Sequence, residues 1–156
     1  MNLSFTVYGR PQPQGSAKSF IPKGWNRAVI TTDNKTLKPW RQDVSDTACI
    51  QMRDGAPSNE AIIVRVNFYF ERPRSTSKKI LSKITKPDVD KLARGILDSL
   101  TGIAFRDDAQ VIALETYKHF GLPERAEIEV CELSIREDFS IPAEGASQEG
   151  LFSQTV

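Results

Sequence analysis

Apolar and polar residues alternate in four stretches of the chain, which is the pattern of half-buried β-strands. These stretches are residues 3–8, 61–70, 109–120 and 126–136. The last two are joined by the turn-rich segment 121–125, which favours a hairpin between them. In the final stretch the apolar phase shifts by one residue, and a β-bulge near Cys131 would account for that shift.

Helical spacing predicts two helices. The first covers residues 36–53, where the spaced apolar residues are Leu37, Trp40, Val44, Ala48 and Met52. The second carries a single stripe formed by Val89, Leu92, Ala93, Ile96, Leu97 and Leu100. Gly102 stands just beyond the stripe, where a left-handed residue commonly ends a helix. Two further strand-like pieces, 17–21 and 28–32, predict a β-hairpin ahead of the first helix.

The predicted order is β, hairpin loop, α, β, α, β, β. It indicates an α+β domain in which two main helices cover one face of a small mixed sheet. With 156 residues the chain is long enough for one domain with a substantial core. We expect this domain to cover residues 1–136. Residues 137–156 are acidic, lack an apolar period and are expected to be a disordered tail.

Composition excludes several classes of protein. No apolar run is long enough to span a membrane, and there is no signal-peptide pattern, so we expect the protein to stay in the cytoplasm of the cell that expresses it. Cys49 and Cys131 form no disulfide framework, as expected in a reducing compartment. The chain lacks a G-x-x-x-x-G-K-[ST] loop, and we therefore expect no nucleotide cofactor.

The net charge of +1 hides a strong asymmetry. Residues 1–94 carry 17 Lys and Arg against 8 Asp and Glu, a balance of +9. Residues 95–156 carry 4 against 12, a balance of −8. A basic first part suggests a polyanionic partner.

Two aspartates precede the second helix. On a continuous helix Asp88 and Asp90 would lie about 200° apart and could not share a ligand. Pro87 disfavours helical geometry at Lys86, so the chain is expected to enter extended, which turns both carboxylates to one side. The helix would then begin near Asp90, which could cap it. An ordinary N-cap explains one aspartate here but not two.

A second acidic pair, Asp107 and Asp108, follows the helix. Several carboxylates without a nearby histidine are typical of a Mg²⁺ site, and such sites support phosphodiester hydrolysis. Zinc is disfavoured because His119 is the only histidine. A structural Ca²⁺ site is a weaker alternative, since the glycine and terminal glutamate of an EF-hand loop are missing.

Basic residues surround this acidic motif. Arg94 and Lys91 could orient a carboxylate or stabilise charge on a phosphate. An ordinary helix-surface ion pair is an equally good interpretation for Arg94 and the better one for Lys91. The loop before the motif could grip a DNA backbone through Arg72, Arg74, Lys78, Lys79, Lys83 and Lys86. The hairpin lysines Lys18 and Lys23 could do the same, although a solvated basic loop is almost as good an explanation.

The sequence K-P-D-V-D-K-L-A-R-G-I-L-D-S-L-T-G followed by D-D-A-Q-V resembles the RusA family of Holliday junction resolvases, in its phage and prophage branch. Y-G-R-P-Q-P-Q-G-S and L-K-P-W-R-Q are also similar to that branch. The resemblance covers residues 3–136. It implies a homodimeric endonuclease that depends on Mg²⁺, with Mn²⁺ as a substitute, and cuts four-way DNA junctions symmetrically.

By position, the resemblance places the catalytic and metal-binding aspartates at Asp88, Asp90 and Asp108, with Asp107 as a possible further ligand. The family's catalytic lysine falls on Arg94, which keeps the charge but cannot be deprotonated. Two alternatives stay open, namely a less selective fork or flap nuclease and an inactive protein that binds branched DNA. The sequence argues against the inactive protein, because a protein that only binds DNA gains nothing from acidic residues placed beside phosphate.

Overall fold

The computed structural model of the protein describes residues 1–15, 17–32, 34–53 and 55–133. Its elements in chain order are β1 Asn2–Tyr8, β2 Ala17–Phe20, β3 Val29–Thr32, α1 Leu37–Met52, β4 Ala61–Phe70, α2 Val89–Leu100, a 3-10 turn Asp108–Gln110, β5 Val111–Phe120 and β6 Arg125–Leu133. The predicted order and the α+β class are confirmed. The expected tail, residues 137–156, lies outside the described residues.

Four strands form one mixed sheet in the order β1, β6, β4, β5. β6 is antiparallel to both of its neighbours, whereas β4 and β5 are parallel. Parallel neighbours need a long crossover, and α2 lies in the segment that connects them. β2 and β3 pair with each other in a separate two-stranded hairpin, as predicted.

The predicted hairpin between β5 and β6 is wrong, because β4 lies between these strands. The connecting segment passes over the end of β4, where the Gly121 N–H donates to the Phe70 carbonyl at 2.9 Å. The Glu71 N–H donates to the Glu124 carboxylate at 3.2 Å. Gly121 permits this close passage, since a Cβ there would lie 2.9 Å from Cδ1 of Tyr69. The local sequence indicates that the chain reverses direction after β5, but it does not indicate that another strand lies between β5 and β6.

Both helices pack on one face of the sheet. The alternating residues of β4 that face them are fully or almost fully buried: Ile62, Val64, Val66, Phe68 and Phe70. Leu92, Ile96 and Leu100 of α2 are completely buried in the same core, which confirms the centre of the predicted stripe. Its first member, Val89, is instead 37% exposed at the first residue of the helix. Trp40 of α1 is also buried, as expected of a core residue. Each such side chain contributes about 2 kcal/mol of burial, so α2 is held firmly.

Polar contacts join the two helices along their exposed margin. Arg41 of α1 lies 3.5 Å from the Asp98 carboxylate of α2 and donates to its carbonyl at 3.2 Å. The Ser45 hydroxyl donates to the Ser99 carbonyl at 2.9 Å. Asp98 is therefore paired with a cation and helps to join the two helices.

The bulge expected near Cys131 is also wrong. β6 stays in register with β4 through Leu133, and the shift in pairing falls between Ile62 and Ile63 on the β5 side. Glu132 explains the break in the apolar pattern, because it takes a core-side position at the sheet margin. Its carboxylate accepts from the Ser58 hydroxyl at 2.9 Å and lies 3.3 Å from the N-terminal ammonium. None of the described helices has the length and apolarity needed to cross a bilayer.

Candidate active site

Two lysines fix the backbone that leads into α2. The Lys83 ammonium donates to the Thr85 hydroxyl at 3.1 Å and to the Lys86 carbonyl at 2.8 Å. The Lys118 ammonium of β5 donates to the carbonyls of Thr85 at 2.9 Å and Pro87 at 2.7 Å. Hydrogen bonds from charged donors are stronger than neutral ones. The approach to the first aspartate is therefore held both from within the loop and from the sheet.

Asp88 occupies the N-cap position of α2 with extended geometry, φ −73° and ψ 139°. The expected extended entry is confirmed, but the helix begins at Val89, so Asp88 and not Asp90 stands at the cap. The Asp88 carboxylate makes no capping hydrogen bond and instead lies 3.2 Å from the Lys91 ammonium. Lys91 thus forms the helix-surface ion pair that the sequence favoured.

Asp90 lies in the first turn of α2, and Arg94 follows one turn later on the same side of the helix. Both line a groove of about 460 Å³ between α2 and the edge strand β5. Asp108 lines the same groove. The remaining lining is mostly apolar and consists of Val89, Ala93, Leu97, Leu114 and Thr116. Two carboxylates and a guanidinium therefore share one groove with a largely apolar floor.

Asp107 and Gln110 hold the turn that presents Asp108. The Asp107 carboxylate accepts from the Ala109 N–H at 2.8 Å, and the Gln110 side-chain oxygen accepts from the Asp107 N–H at 2.9 Å. This reciprocal arrangement is a capping box. The Gln110 amide nitrogen also donates to the Ser58 carbonyl at 3.0 Å, which fastens the turn to the segment before β4. One oxygen of Asp107 is therefore engaged in holding the turn.

The predicted carboxylates lie in two places. Asp90 and Asp108 share the groove beside β5, whereas Asp88 lines a separate cavity of about 400 Å³ with Arg10, Lys86 and Lys91. Within the described residues, no three carboxylate, histidine or cysteine side chains are placed closely enough to chelate a metal ion together. The four-aspartate ligand set thus stays a prediction, and the pair in the groove is the part that the fold brings together.

Comparison with known proteins identifies the family of this chain. A family model described as endodeoxyribonuclease RusA matches residues 9–131, which contain α2, both acidic pairs and the groove. The chain belongs to the RusA endodeoxyribonuclease family. It is also similar to the uncharacterized protein YqaN of Bacillus subtilis (strain 168), with 31% identity over 142 residues. That alignment covers 85% of this chain and 97% of YqaN.

The basic residues expected to contact DNA in this RusA-family chain fall into two groups. Arg74, Lys78, Lys79, Lys86 and Lys23 are exposed. Arg72, by contrast, donates to the carbonyls of Ser77 at 3.2 Å and Ile80 at 2.7 Å, so its guanidinium holds the loop together. The side chain of Lys18 lies outside the described part of the chain.

Lys83 departs from the expectation that it grips a DNA backbone. It is 7% exposed, and its ammonium lies 5.0 Å from the centre of the Phe70 ring. Burial, followed by repulsion from Lys118 and Arg10, lowers the pKa of Lys83 below its ordinary value. A buried ammonium that already donates to two loop oxygens serves the loop and does not face a DNA backbone.

Sequence reasoning missed three residues that shape this RusA site. Arg10 lines the cavity beside Asp88, Lys118 holds the loop, and Gln110 fastens the turn. Arg10 and Gln110 stand in the motifs Y-G-R-P-Q-P-Q-G-S and D-D-A-Q, which carried the family resemblance, so the signal was present. Lys118 carried no signal, because it occupies an ordinary polar position in an alternating strand.

Proposed function

We propose that this chain is a Mg²⁺-dependent endonuclease that resolves four-way DNA junctions by symmetric phosphodiester hydrolysis. The observation that supports it most directly is the groove that Asp90, Asp108 and Arg94 line, in a chain of the RusA family. Clustered acids beside an exposed cation suit hydrolysis of a polyanion better than binding alone. Family membership supports junction DNA as the substrate.

The donor set in the groove suits Mg²⁺. This ion takes oxygen ligands, keeps several waters and usually needs only one or two protein carboxylates. Asp90 and Asp108 supply two carboxylates in the same groove. When bound there, the ion would activate water and offset charge on the scissile phosphate. We propose Asp88 as a further contributor from the adjoining N-cap position.

The other side chains have roles that follow from their charge. Arg94 is exposed in the groove and presents fixed donors to phosphate oxygens without losing its proton. Arg10, Lys86 and Lys91 line the neighbouring cavity and supply positive charge for the phosphate next along the strand. Val89, Ala93 and Leu97 give the groove an apolar lining. Together these residues would hold a DNA strand across the N-terminal end of α2.

Symmetric cleavage requires two equivalent sites. We therefore propose that two copies act together about a two-fold axis, as the symmetry of a four-way junction demands. Each copy would bring one groove to one of two opposed strands. The ratio of paired to single cuts on a junction reports this arrangement directly.

The decisive experiment measures cleavage of a four-way junction by wild type, Asp90→Asn and Asp108→Asn, with and without Mg²⁺. We expect each substitution to slow cleavage by more than about 100-fold, because even outer partners of metal ligands commonly cost about 10–100-fold. Asp98→Asn is the matched control, since it removes one carboxylate of the same helix outside the groove. Wild-type cutting without a divalent cation, or equal cutting of linear duplex and forks, would contradict the proposal.

A further inference from the structure

The tip of the β2–β3 hairpin presents two large apolar side chains to solvent. Ile21 is 65% exposed and Trp25 is 61% exposed. The turn between them is defined, because the Trp25 N–H donates to the Pro22 carbonyl at 2.9 Å. Gly24 has a φ of +89° at the third position of this turn, as a type II turn requires. The turn therefore displays these side chains where no described residue buries them.

The charges around this tip are positive. Lys23 lies within the turn and Arg27 just after it, and both are exposed. From Arg10 to Arg41 the sequence has seven basic residues and one acid, Asp33. An aromatic ring among cations matches single-stranded nucleic acid, in which base faces alternate with phosphates. A purely acidic partner would leave the aromatic ring unmatched, and a purely apolar partner would leave the cations unmatched.

The root of the hairpin is tied to the candidate active site. The Gln14 N–H donates to the Lys91 carbonyl of α2 at 2.9 Å. The Asn34 amide donates to the Pro13 carbonyl at 2.9 Å, which joins the two chain segments that enter and leave the hairpin. Each hairpin strand has four residues, a length of about 13 Å. The tip therefore stands about one strand length from a root fixed at α2.

We propose that Trp25, supported by Ile21, inserts at the branch point of the DNA and stacks on a base that the crossover exposes. This inference rests on the proposed function, and it adds a mechanism by which the protein would distinguish branched DNA from a linear duplex. Apolar wedges that enter a base step unstack it, and the energetic cost is smallest where stacking is already interrupted. Stacking on an aromatic ring also tolerates any base, as a moving branch point requires.

The test compares binding of a four-way junction and a linear duplex of equal length, without divalent cation, by wild type and Trp25→Ala. We expect about tenfold weaker junction binding and less than about twofold change for duplex, given the usual size of one base–aromatic stack. Trp25→Phe should keep most of the affinity. Ile50→Ala is the control, because Ile50 is 73% exposed on α1, away from the hairpin. It should bind both DNAs like wild type.

Tryptophan fluorescence supplies an independent readout. The chain has two tryptophans, and Trp40 is buried. Emission from the exposed Trp25 should therefore be quenched when wild type binds junction DNA, and it should not be quenched by duplex. Trp25→Ala should lack this quenched emission. Equal loss of affinity for both DNAs, unquenched emission, or a change in oligomeric state in Trp25→Ala would overturn the inference. If wild type cuts junctions and Trp25→Ala binds and cuts them equally well, this inference alone fails; if wild type does not cut them, the proposed function fails.

Discussion

The Lys118 ammonium donates a 2.7 Å hydrogen bond to the Pro87 carbonyl, which joins the edge strand β5 to the residue before Asp88. The same ammonium donates to the Thr85 carbonyl at 2.9 Å. β5 also supplies Leu114 and Thr116 to the groove that contains the other carboxylates. One strand therefore forms a wall of the groove and fixes the entry to α2.

Lys118→Met should misplace Asp88 without unfolding the protein. A hydrogen bond to a charged group contributes about 1.5–3 kcal/mol, so the free energy of unfolding should fall by an amount in that range. We expect kcat for junction cleavage to fall further than KM rises, because the loop end moves while the exposed lysines that are proposed to bind DNA remain. Lys118→Arg retains a donor and should recover most of kcat. Equal activity in wild type and Lys118→Met would show that the bond does not position the site.

Gln110 allows the two functions of its side chain to be separated. Gln110→Glu keeps an acceptor for the Asp107 N–H but cannot donate to the Ser58 carbonyl. Gln110→Ala loses both. We expect cleavage to be fastest in wild type, slower in Gln110→Glu and slowest in Gln110→Ala. If Asp108 binds the metal as proposed, the alanine variant should be about 10–100-fold slower, which is typical of residues that orient metal ligands. If Gln110→Glu and Gln110→Ala are equally impaired, the bonds from the amide nitrogen to the carbonyls of Ser58 and Glu60 are what fix Asp108.

Several features of this fold could be predicted from sequence because they depend on local periodicity. The α2 stripe and the buried face of β4 follow from spacing alone, and both helices lie within two residues of their predicted bounds. The position of β4 between β5 and β6 depends on pairing between distant residues, which a turn-rich segment such as 121–125 cannot reveal. The separation of Asp88 from Asp90 depends on where α2 begins, a shift of one residue that the pattern does not define.

Lys83 should make stability depend on alkaline pH. The pKa of Lys83 is lowered in the folded protein by burial, whereas the unfolded chain keeps the ordinary value of 10.5. Between these two values the unfolded chain binds more protons, so stability rises with pH through that window. Below the lowered pKa both states are protonated and the wild type keeps the cost of the buried charge. The free energy of unfolding of wild type minus that of Lys83→Met should therefore increase from pH 7 towards 10.5, and a flat difference would contradict the assignment.

The ion pair between Asp88 and Lys91 should contribute little to stability. Both side chains are more than 40% exposed, and such i, i+3 pairs contribute about 0.2–0.5 kcal/mol. A double-mutant cycle with Asp88→Asn and Lys91→Gln should give a coupling in that range by chemical denaturation. The two substitutions should affect different steps of the reaction. Asp88→Asn should slow cleavage strongly, whereas Lys91→Gln should mainly weaken DNA binding. Equal effects on cleavage rate would indicate that the pair acts as a unit.

Arg94 provides the sharpest test of how positive charge is used in the groove. Arg94→Lys keeps the charge and Arg94→Gln removes it, while both leave an exposed site with no ion pair among the described residues. If the guanidinium stabilises charge on the phosphate, Lys should retain most of the cleavage rate and Gln should lose about 100–1,000-fold. If the position supplies only positive charge, the pH profile should be the same for wild type and Arg94→Lys near neutrality. Thermal unfolding of both variants should match wild type, since Arg94 contributes nothing to the core. A new limb in the pH profile of Arg94→Lys would instead show that this position takes part in proton transfer.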